Sequence, residues 1–239
     1  MTVCVFRRAY ERQTGFNLMS LERDMNMNKN ILIRIDFQND FVHPHGALSI
    51  DNPELINKHQ QFADSIFPNC FEEIVETYDT HFAETYPQTI EANNYPPHCI
   101  FGSWGWQQAA PFKPELEVTK IYKSTTNLWN ERYQYRALAE DWHGKNVFLC
   151  GLLSDVCVQQ ALDGLLKKGA NVTILSDLCQ GAQRQIGDIM EQPYYKPYID
   201  NGLLRTITSA QFFRSQLHNK KIQHNLVTKS LGENHDQTY

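Results

Sequence analysis

The sequence lacks the features that mark membrane-spanning, secreted and nucleic-acid-binding proteins. It contains no apolar run of about 18 residues, and its first residues mix arginines and glutamate with scattered apolar side chains where a secretory signal would be apolar. With 22 Lys and Arg against 27 Asp and Glu, the net charge is −5, so no broad basic surface is expected to attract nucleic acid or an anionic membrane. These absences favour a cytoplasmic protein with a small-molecule partner.

Cysteine is present, but not in a pattern that builds structure. The six cysteines stand at irregular positions (4, 70, 99, 150, 157 and 179) and form no Cys-x-x-Cys pair. This spacing resembles neither a disulfide framework nor a zinc ribbon, so we expect reduced thiols.

The 239 residues, 41% of them hydrophobic, suffice for one well-cored domain. Residues 1–29 are polar and punctuated by methionines, and residues 219–239 are rich in Lys, Asn, Gln and His. We therefore predict an N-terminal extension over residues 1–29, a single domain over residues 30–218 and a C-terminal tail over residues 219–239.

Within the domain, apolar runs typical of strands alternate with helical patterns. The predicted strands cover residues 31–35, 73–78, 118–122, 147–152, 172–175 and 203–207. The predicted helices begin near residue 52, cover residues 131–142, follow residue 157 as far as residue 169, and cover residues 183–190. This alternation predicts a mainly parallel central sheet with helices on both faces, a three-layer α/β/α fold.

Polar side chains fall at the carboxyl ends of four predicted strands. Asp36, Asp79 and Lys123 directly follow three of them, and Cys157 lies just beyond the fourth. Ligands bind at this edge of a parallel sheet, because helix N-termini and connecting loops open there. One aspartate after a strand usually caps a helix or forms a turn, but four converging polar groups predict a site.

Cys157 stands where an apolar run gives way to a helical pattern, which places it in the first turn of a helix. Unpaired N–H groups and the helix dipole there favour thiolate over thiol and predict a pKa below the usual value of about 8.5. The alternative is a small buried cysteine that packs under a strand-helix junction.

The segment from Asp79 to His98 carries side chains that can bind a metal. Two imidazoles (His81 and His98) and one or two carboxylates (Asp79 and Glu91) suit zinc, iron or manganese. Alternate residues of an extended segment face the same way, so Asp79 and His81 can reach one ion. Ordinary solvated loop histidines are the alternative.

Two further histidines are rival ligands. His43 and His45 lie in a loop with Pro44 between them and Gly46 after them. That loop is typical of a turn, so we rank these histidines below His81 and His98.

Taken together, these motifs resemble the isochorismatase-like cysteine hydrolases, most closely the nicotinamidase (pyrazinamidase) branch. The matching motifs occur in family order, from about residue 31 to residue 213. They are Ile-Asp36-Phe-Gln-Asn-Asp-Phe41, Gly46-Ala-Leu-Ser, Asp79-Thr-His81, Tyr95-Pro-Pro-His98-Cys, Lys123 and Gly151-Leu-Leu-Ser-Asp-Val-Cys157-Val. The Asp-x-His pair upstream of the His-Cys pair marks the metal-dependent branch.

The resemblance implies a catalytic triad of Asp36, Lys123 and Cys157. Asp36 would take the thiol proton and later pass it to departing ammonia, while the charge of Lys123 would hold carboxylate and thiolate in place. Water would then hydrolyse a thioester on Cys157. Backbone N–H groups of Leu153 and Cys157 would form the oxyanion hole, and the peptide bond joining Leu152 to Leu153 would be cis.

The same resemblance implies a metal ion beside the substrate. One divalent transition metal, zinc in the first place and iron or manganese as alternatives, would bind the pyridine nitrogen of nicotinamide. Its ligands would be Asp79, His81 and His98, with Glu91 as a candidate further ligand. Phe41 and Tyr95 would flank the pyridine ring.

The chain departs from the family pattern at several places. Nicotinamidases usually carry Trp where Tyr95 stands, and Pro-x-Asn-His where residues 82–86 read Phe-Ala-Glu-Thr-Tyr. Lys120 is an alternative to Lys123, and strand alternation makes the two face opposite ways. We favour Lys123 because Ser124 and Thr125 end the strand there.

The leading interpretation is hydrolysis of nicotinamide to nicotinate and ammonia for NAD recycling. The nearest alternative is another small amide, or a ureido or carbamoyl compound, on the same triad. A third interpretation is a non-catalytic binding or sensing protein on this scaffold, which the joint presence of Asp36, Lys123 and Cys157 disfavours. Assembly into a homo-oligomer is left open.

Overall fold

The structure is a computed structural model that describes residues 30–216, except Tyr133 and Glu140. The predicted N-terminal extension and C-terminal tail therefore lie outside the described residues. None of the helices in the described part of the chain has the length and apolar character that crossing a lipid bilayer requires.

Six strands form one parallel sheet, which confirms the fold class predicted from the alternation of apolar runs. In chain order they are β1 (Asn30–Ile35), β2 (Glu73–Asp79), β3 (Thr119–Lys123), β4 (Asn146–Leu152), β5 (Asn171–Gln180) and β6 (Leu204–Ile207). Their order across the sheet is β3-β2-β1-β4-β5-β6. The chain winds outward from β1 on one side and then on the other, so a crevice opens between the carboxyl ends of β1 and β4.

The helices are short. They are α1 (Asn39–Val42), α2 (Pro53–Ser65), α3 (Arg136–Ala139), α4 (Gln159–Lys167), α5 (Ile186–Met190) and α6 (Lys196–Asp200), and residues 209–216 are also helical. The longest, α2, begins as the sequence predicts. Asn52 accepts a hydrogen bond from the Leu55 N–H, and Pro53 occupies the first turn, where no backbone donor is needed.

The two faces of the sheet carry separate apolar clusters. Ile31, Ile33 and Ile35 of β1 point to the face covered by α4, whereas Leu32 points to the face covered by α2 and residues 209–216. This alternation buries the strand on both sides and gives the three layers.

The predicted helix over residues 131–142 is wrong. The segment instead forms a 3-10 turn (Leu128–Glu131) and the four-residue α3. Trp129 and Trp142 pack edge-on in the core with ring centroids 6.0 Å apart. Core packing of the two indoles therefore overrides the local helical pattern.

Tyr135 in this segment contacts the edge of the sheet. Its hydroxyl accepts a hydrogen bond from the Tyr122 N–H (2.9 Å) and lies 3.3 Å from the Tyr122 carbonyl oxygen, to which it donates. Both backbone groups of one residue of β3 are thereby paired with a side chain.

β5 is longer than predicted. It continues beyond residue 175 to Gln180, and Cys179 pairs with Gly151 after an irregularity in the register with β4. Gly151 has φ +119°, and a Cβ there would overlap the Ile35 carbonyl oxygen. Only glycine permits this close approach of β4 to β1 at the carboxyl edge.

Two glycines in helices allow a matched test of the packing. A Cβ on Gly164 of α4 would overlap the indole of Trp129, whereas a Cβ on Gly187 of α5 meets open space. Gly164→Ala is expected to lower the free energy of unfolding by about 1–3 kcal/mol, and Gly187→Ala to raise it by about 0.5–1 kcal/mol. Urea denaturation measures both. Equal stability of the two variants would contradict the packing described here.

Candidate active site

Asp36, Lys123 and Cys157 meet at the carboxyl edge of the sheet. The Lys123 Nζ lies 2.7 Å from Asp36 Oδ2 and 3.8 Å from Cys157 Sγ, and all three residues are buried. The structure thus brings together a carboxyl group, an ammonium and a thiol that are distant in sequence.

The backbone conformation of Asp36 and its hydrogen bonds to β2 fix the position of its carboxylate. Asp36 follows β1 in the left-handed conformation (φ +46°). The Thr77 hydroxyl on β2 donates to Asp36 Oδ1 at 2.6 Å and accepts from the Asp36 N–H at 3.1 Å. Sequence reasoning missed Thr77. The feature that could have indicated its role is its position on the same strand as Asp79, two residues earlier.

Cys157 lies in a π-helical turn, Ser154–Val158, that joins β4 to α4. The N–H groups of Val156 and Val158 both donate to the Leu153 carbonyl, and the preceding Leu152–Leu153 bond is cis, as the family resemblance implies. The Asp155 carboxylate accepts hydrogen bonds from the backbone N–H groups of residues 182–184. The turn is therefore fixed to the loop after β5.

The electrostatics of the three residues correct the prediction for Cys157. Burial, opposed by Lys123 and reinforced by Asp36, raises the pKa of the Cys157 thiol well above its usual value. The sequence predicts a lowered pKa from the helix start, but loss of hydration in the buried turn is the larger effect. The resting sulfur is a neutral thiol, so it needs a base.

Asp36 has the properties of that base. Burial raises the pKa of its carboxyl, although the Lys123 charge opposes the rise. Burial would lower the pKa of Lys123, but the Asp36 charge raises it well above its usual value, so Lys123 stays an ammonium. A raised pKa makes the Asp36 carboxylate a stronger proton acceptor than an ordinary aspartate.

A second cluster lies beside the first. Asp79, His81, Glu91 and His98 offer ligand atoms that all lie within 4.8 Å of one another. Asp79 Oδ2 is 3.2 Å from the Nε2 atoms of both His81 and His98, and Glu91 Oε2 is 3.1 Å from His81 Nε2. The donors of a tetrahedral zinc site with bonds of about 2.0–2.1 Å stand about 3.3 Å apart, so these side chains fit such an ion.

The electrostatics of the cluster also favour the binding of a cation. Burial would lower the pKa of His81, but hydrogen bonds and charge from Asp79 and Glu91 outweigh it and raise that pKa to about 9. Burial works against the charged form of Asp79, yet the Lys123 charge and the two imidazoles hold the pKa of its carboxyl well below its usual range. A proton on His81 supplies the positive charge that a metal would replace.

Residues that the sequence analysis missed hold this cluster in place. The Gln38 side chain accepts from the Asp79 N–H (2.7 Å) and donates to the Asp79 carbonyl (2.9 Å). The buried Asp40 carboxylate accepts from the Cys99 N–H at 2.7 Å, next to His98. A Cβ on Gly105 would overlap that carboxylate. Gln38 and Asp40 belong to the matched motif from Asp36 to Phe41, but only their contacts show what they support.

Both clusters open into one cavity of about 490 Å³. Its lining includes Cys157 at one side, Asp79, Glu91 and His98 at the other, and Phe41 and Tyr95. Phe41 and Tyr95 lie 5.8 Å and 6.3 Å from His98 by ring centroids, and Tyr95 is 53% exposed. A cavity of this size suits a small aromatic molecule.

The rival residues lie elsewhere. Lys120 is exposed, with Nζ 5.9 Å from the centroid of the Tyr78 ring, so Lys123 alone of the two reaches Asp36. His43 packs edge-on against Trp104, His45 is exposed, and neither belongs to the cluster of metal-binding side chains.

Comparison with known proteins agrees with the fold and the motifs. The isochorismatase domain model matches residues 30–187. The nicotinamidase of Saccharomyces cerevisiae is 23% identical over 185 residues, which cover 61% of this chain and 85% of that protein.

Solved structures give the same result. PnC1 from L. infantum, in complex with nicotinate, matches with a TM-score of 0.56 and 22% identity over 77% of this chain and 94% of that chain. The pyrazinamidase of Pyrococcus horikoshii, in complex with zinc, matches with a TM-score of 0.55 and 21% identity over 75% of this chain and 99% of that chain. At these identities the structures establish the fold alone.

The contact between Thr77 and Asp36 predicts a measurable titration. A hydrogen bond to a charged group contributes about 1.5–3 kcal/mol and favours the ionised carboxylate. Thr77→Val should therefore raise the pKa of Asp36 further, so that protonation on acidification begins at higher pH. The ¹³C shift of the Asp36 carboxyl measures it. Thr173→Val, which removes a buried hydroxyl that accepts from Arg205, is the control and should not move the curve.

Proposed function

The chain belongs to the isochorismatase family of hydrolases, and we propose that it is a metal-dependent cysteine amidohydrolase that converts nicotinamide and water to nicotinate and ammonia. One observation carries this proposal. Cys157, which lies beside Asp36 and Lys123, lines the same small cavity as Asp79, Glu91 and His98 of a cluster suited to a divalent cation. Nicotinamide carries an electrophilic amide carbon and a basic ring nitrogen on one flat ring, which matches that pair of sites.

The first half of the reaction uses the buried thiol. Asp36 takes the thiol proton, and the Cys157 sulfur adds to the amide carbon. The oxyanion is stabilised by backbone N–H groups of Leu153 and Cys157, which line the cavity. Asp36 returns the proton to the amide nitrogen, the carbon–nitrogen bond breaks, and ammonia leaves a thioester on Cys157.

The second half consumes water. Asp36 takes a proton from a water molecule as its oxygen adds to the thioester, the carbon–sulfur bond breaks, and Asp36 passes that proton to the departing sulfur. The carboxylic acid then loses its proton to water and leaves as nicotinate. Lys123 keeps its charge throughout, so it stabilises the carboxylate of Asp36 and the thiolate as it forms. In the first half Asp36 carries a proton from the sulfur to the amide nitrogen, and in the second half it carries one from water to the sulfur.

The metal-binding cluster and two aromatic side chains of the cavity recognise the pyridine ring. A divalent metal, for which we propose zinc, would be held by Asp79, His81 and His98 with Glu91, and it would bind the pyridine nitrogen. Phe41 and the exposed Tyr95 contact the ring faces and orient the amide towards Cys157. The product, nicotinate, would feed NAD recycling.

An ammonia-release assay on nicotinamide, pyrazinamide and several carbamoyl compounds tests this function. Wild type should turn over nicotinamide, and Cys157→Ala should lose at least about 10³-fold in kcat while it stays folded. Cys179→Ala, which alters a cysteine of β5 outside the cavity lining, is the matched control and should keep near-wild-type rates. If the protein released no ammonia from nicotinamide but hydrolysed a carbamoyl compound, the proposed substrate would be a carbamoyl compound and not nicotinamide.

Metal removal is a separate prediction. Treatment with a strong chelator should weaken nicotinamide binding, and added zinc should restore it, with about one ion per chain by elemental analysis. Binding must displace the proton from His81, whose pKa is about 9 without a cation, so the apparent zinc affinity should fall as pH is lowered below that value. Full activity in chelator, with no metal in gently purified protein, would remove the ion from the proposal.

A further inference from the structure

Tyr86 lies against both imidazoles of the metal-binding cluster. It begins a 3-10 turn, Tyr86–Gln88, and is 2% exposed. Its ring meets the rings of His81 and His98 edge-on, at centroid distances of 5.1 Å and 5.6 Å. A phenylalanine ring would provide the same packing, so the buried hydroxyl requires its own explanation.

The Tyr86 hydroxyl has three neighbours. It lies 3.1 Å from the Tyr95 carbonyl oxygen, 2.9 Å from the Pro96 carbonyl oxygen and 3.2 Å from His98 Nδ1. Carbonyl oxygens only accept, so the hydroxyl donates to these two. Burial and the charge of Glu91 raise the pKa of Tyr86, which keeps the hydroxyl protonated.

These contacts assign the hydrogen on His98. Its Nδ1 also lies 2.9 Å from the Pro96 carbonyl oxygen. Since that carbonyl can only accept and the Tyr86 proton is shared between carbonyl oxygens, the tautomer with the proton on Nδ1 is the one that satisfies this contact. His98 Nε2 is then bare, and its lone pair faces Asp79 Oδ2 at 3.2 Å and Glu91 Oε2 at 3.8 Å.

In this tautomer Nε2 presents its lone pair to a cation held by Asp79 and Glu91. Histidines that bind metals commonly donate their second N–H to a carbonyl or another fixed acceptor, which sets the tautomer and the ring orientation. Here the acceptors are the Pro96 carbonyl and the Tyr86 oxygen.

We propose that Tyr86 is a positioning residue of the metal site, whose hydroxyl holds His98 in the tautomer that presents Nε2 to the ion. The same hydroxyl ties the backbone of residues 95–96, and with it the Tyr95 ring of the cavity wall, to the metal-binding cluster. This assignment rests on the proposed metal-dependent function and extends it to a residue outside the ligand set.

The test compares Tyr86→Phe with Tyr195→Phe. Tyr195 is also buried, and its hydroxyl donates to Asp163 Oδ1 at 2.8 Å in the core cluster on the α4 face. Zinc affinity is measured by competition with a chromophoric chelator at fixed pH. Tyr86→Phe should bind zinc about 10–100-fold more weakly than wild type, and Tyr195→Phe should bind as wild type does. Thermal unfolding in excess chelator compares the metal-free forms.

An unchanged zinc affinity in Tyr86→Phe, or an equal loss in both variants, would overturn the assignment, since a general loss of stability affects both. A second measurement needs no variant. The ¹⁵N spectrum of metal-free wild type at alkaline pH should show His98 protonated at Nδ1 and bare at Nε2. The opposite tautomer would refute the role of Tyr86.

The two proposals fail in different ways. Absence of zinc binding by wild type would refute the metal-dependent function, and the spectrum of His98 would still decide the tautomer. Normal zinc binding and turnover with the opposite tautomer would refute the role of Tyr86 alone.

Discussion

The buried ion pair between Asp36 and Lys123 is the contact on which the site depends. It joins the carboxyl ends of β1 and β3 across β2, and both side chains are about 1% exposed. The Lys123 Nζ also lies 3.5 Å from Asp79 Oδ1, so one ammonium faces two buried carboxylates. Charges taken out of water need such partners, because an unpaired buried ion costs several kcal/mol. The excess negative charge that remains favours a cation beside His81 and His98.

This charge balance also explains how the Cys157 thiol and the Asp36 carboxylate can lie close together. If Cys157 were ionised at rest, its charge would add to those of Asp36 and Asp79 around the same lysine. Burial favours the neutral thiol, and under the proposed mechanism the transfer of its proton to Asp36 leaves the number of negative charges near Lys123 unchanged. The proposed activation of the thiol would therefore move a charge over a short distance without creating a new one.

The sequence predicts the parts of this arrangement that depend on strand ends. Asp36, Asp79 and Lys123 are found at carboxyl ends because apolar runs mark strands well, and the parallel order follows from the alternation with helices. The contacts of Thr77 with Asp36 depend on the register between β1 and β2, which no local pattern encodes. The thiol pKa was predicted with the wrong sign, since burial is a property of the assembled fold.

The segment around Trp129 shows a different limit. Its spacing of apolar residues is typical of a helix, yet the same residues fill the core from irregular backbone, because two indoles pack against each other there. Local periodicity cannot distinguish these outcomes when large aromatic side chains can reach the core from either backbone. Similarly, the candidate metal ligands could be proposed from residue type, whereas Gln38 and Tyr86 are visible only through their contacts.

The hydroxyl of Tyr135 has a consequence for the solubility of the fold. β3 is an outermost strand, and an exposed strand with free backbone groups can recruit a strand from another molecule and begin aggregation. At Tyr122 both backbone groups are already paired with Tyr135, one residue before Lys123. A foreign strand would have to displace that side chain before it could extend the sheet. The same contact thus shields the lysine at the centre of the site from intermolecular strand addition.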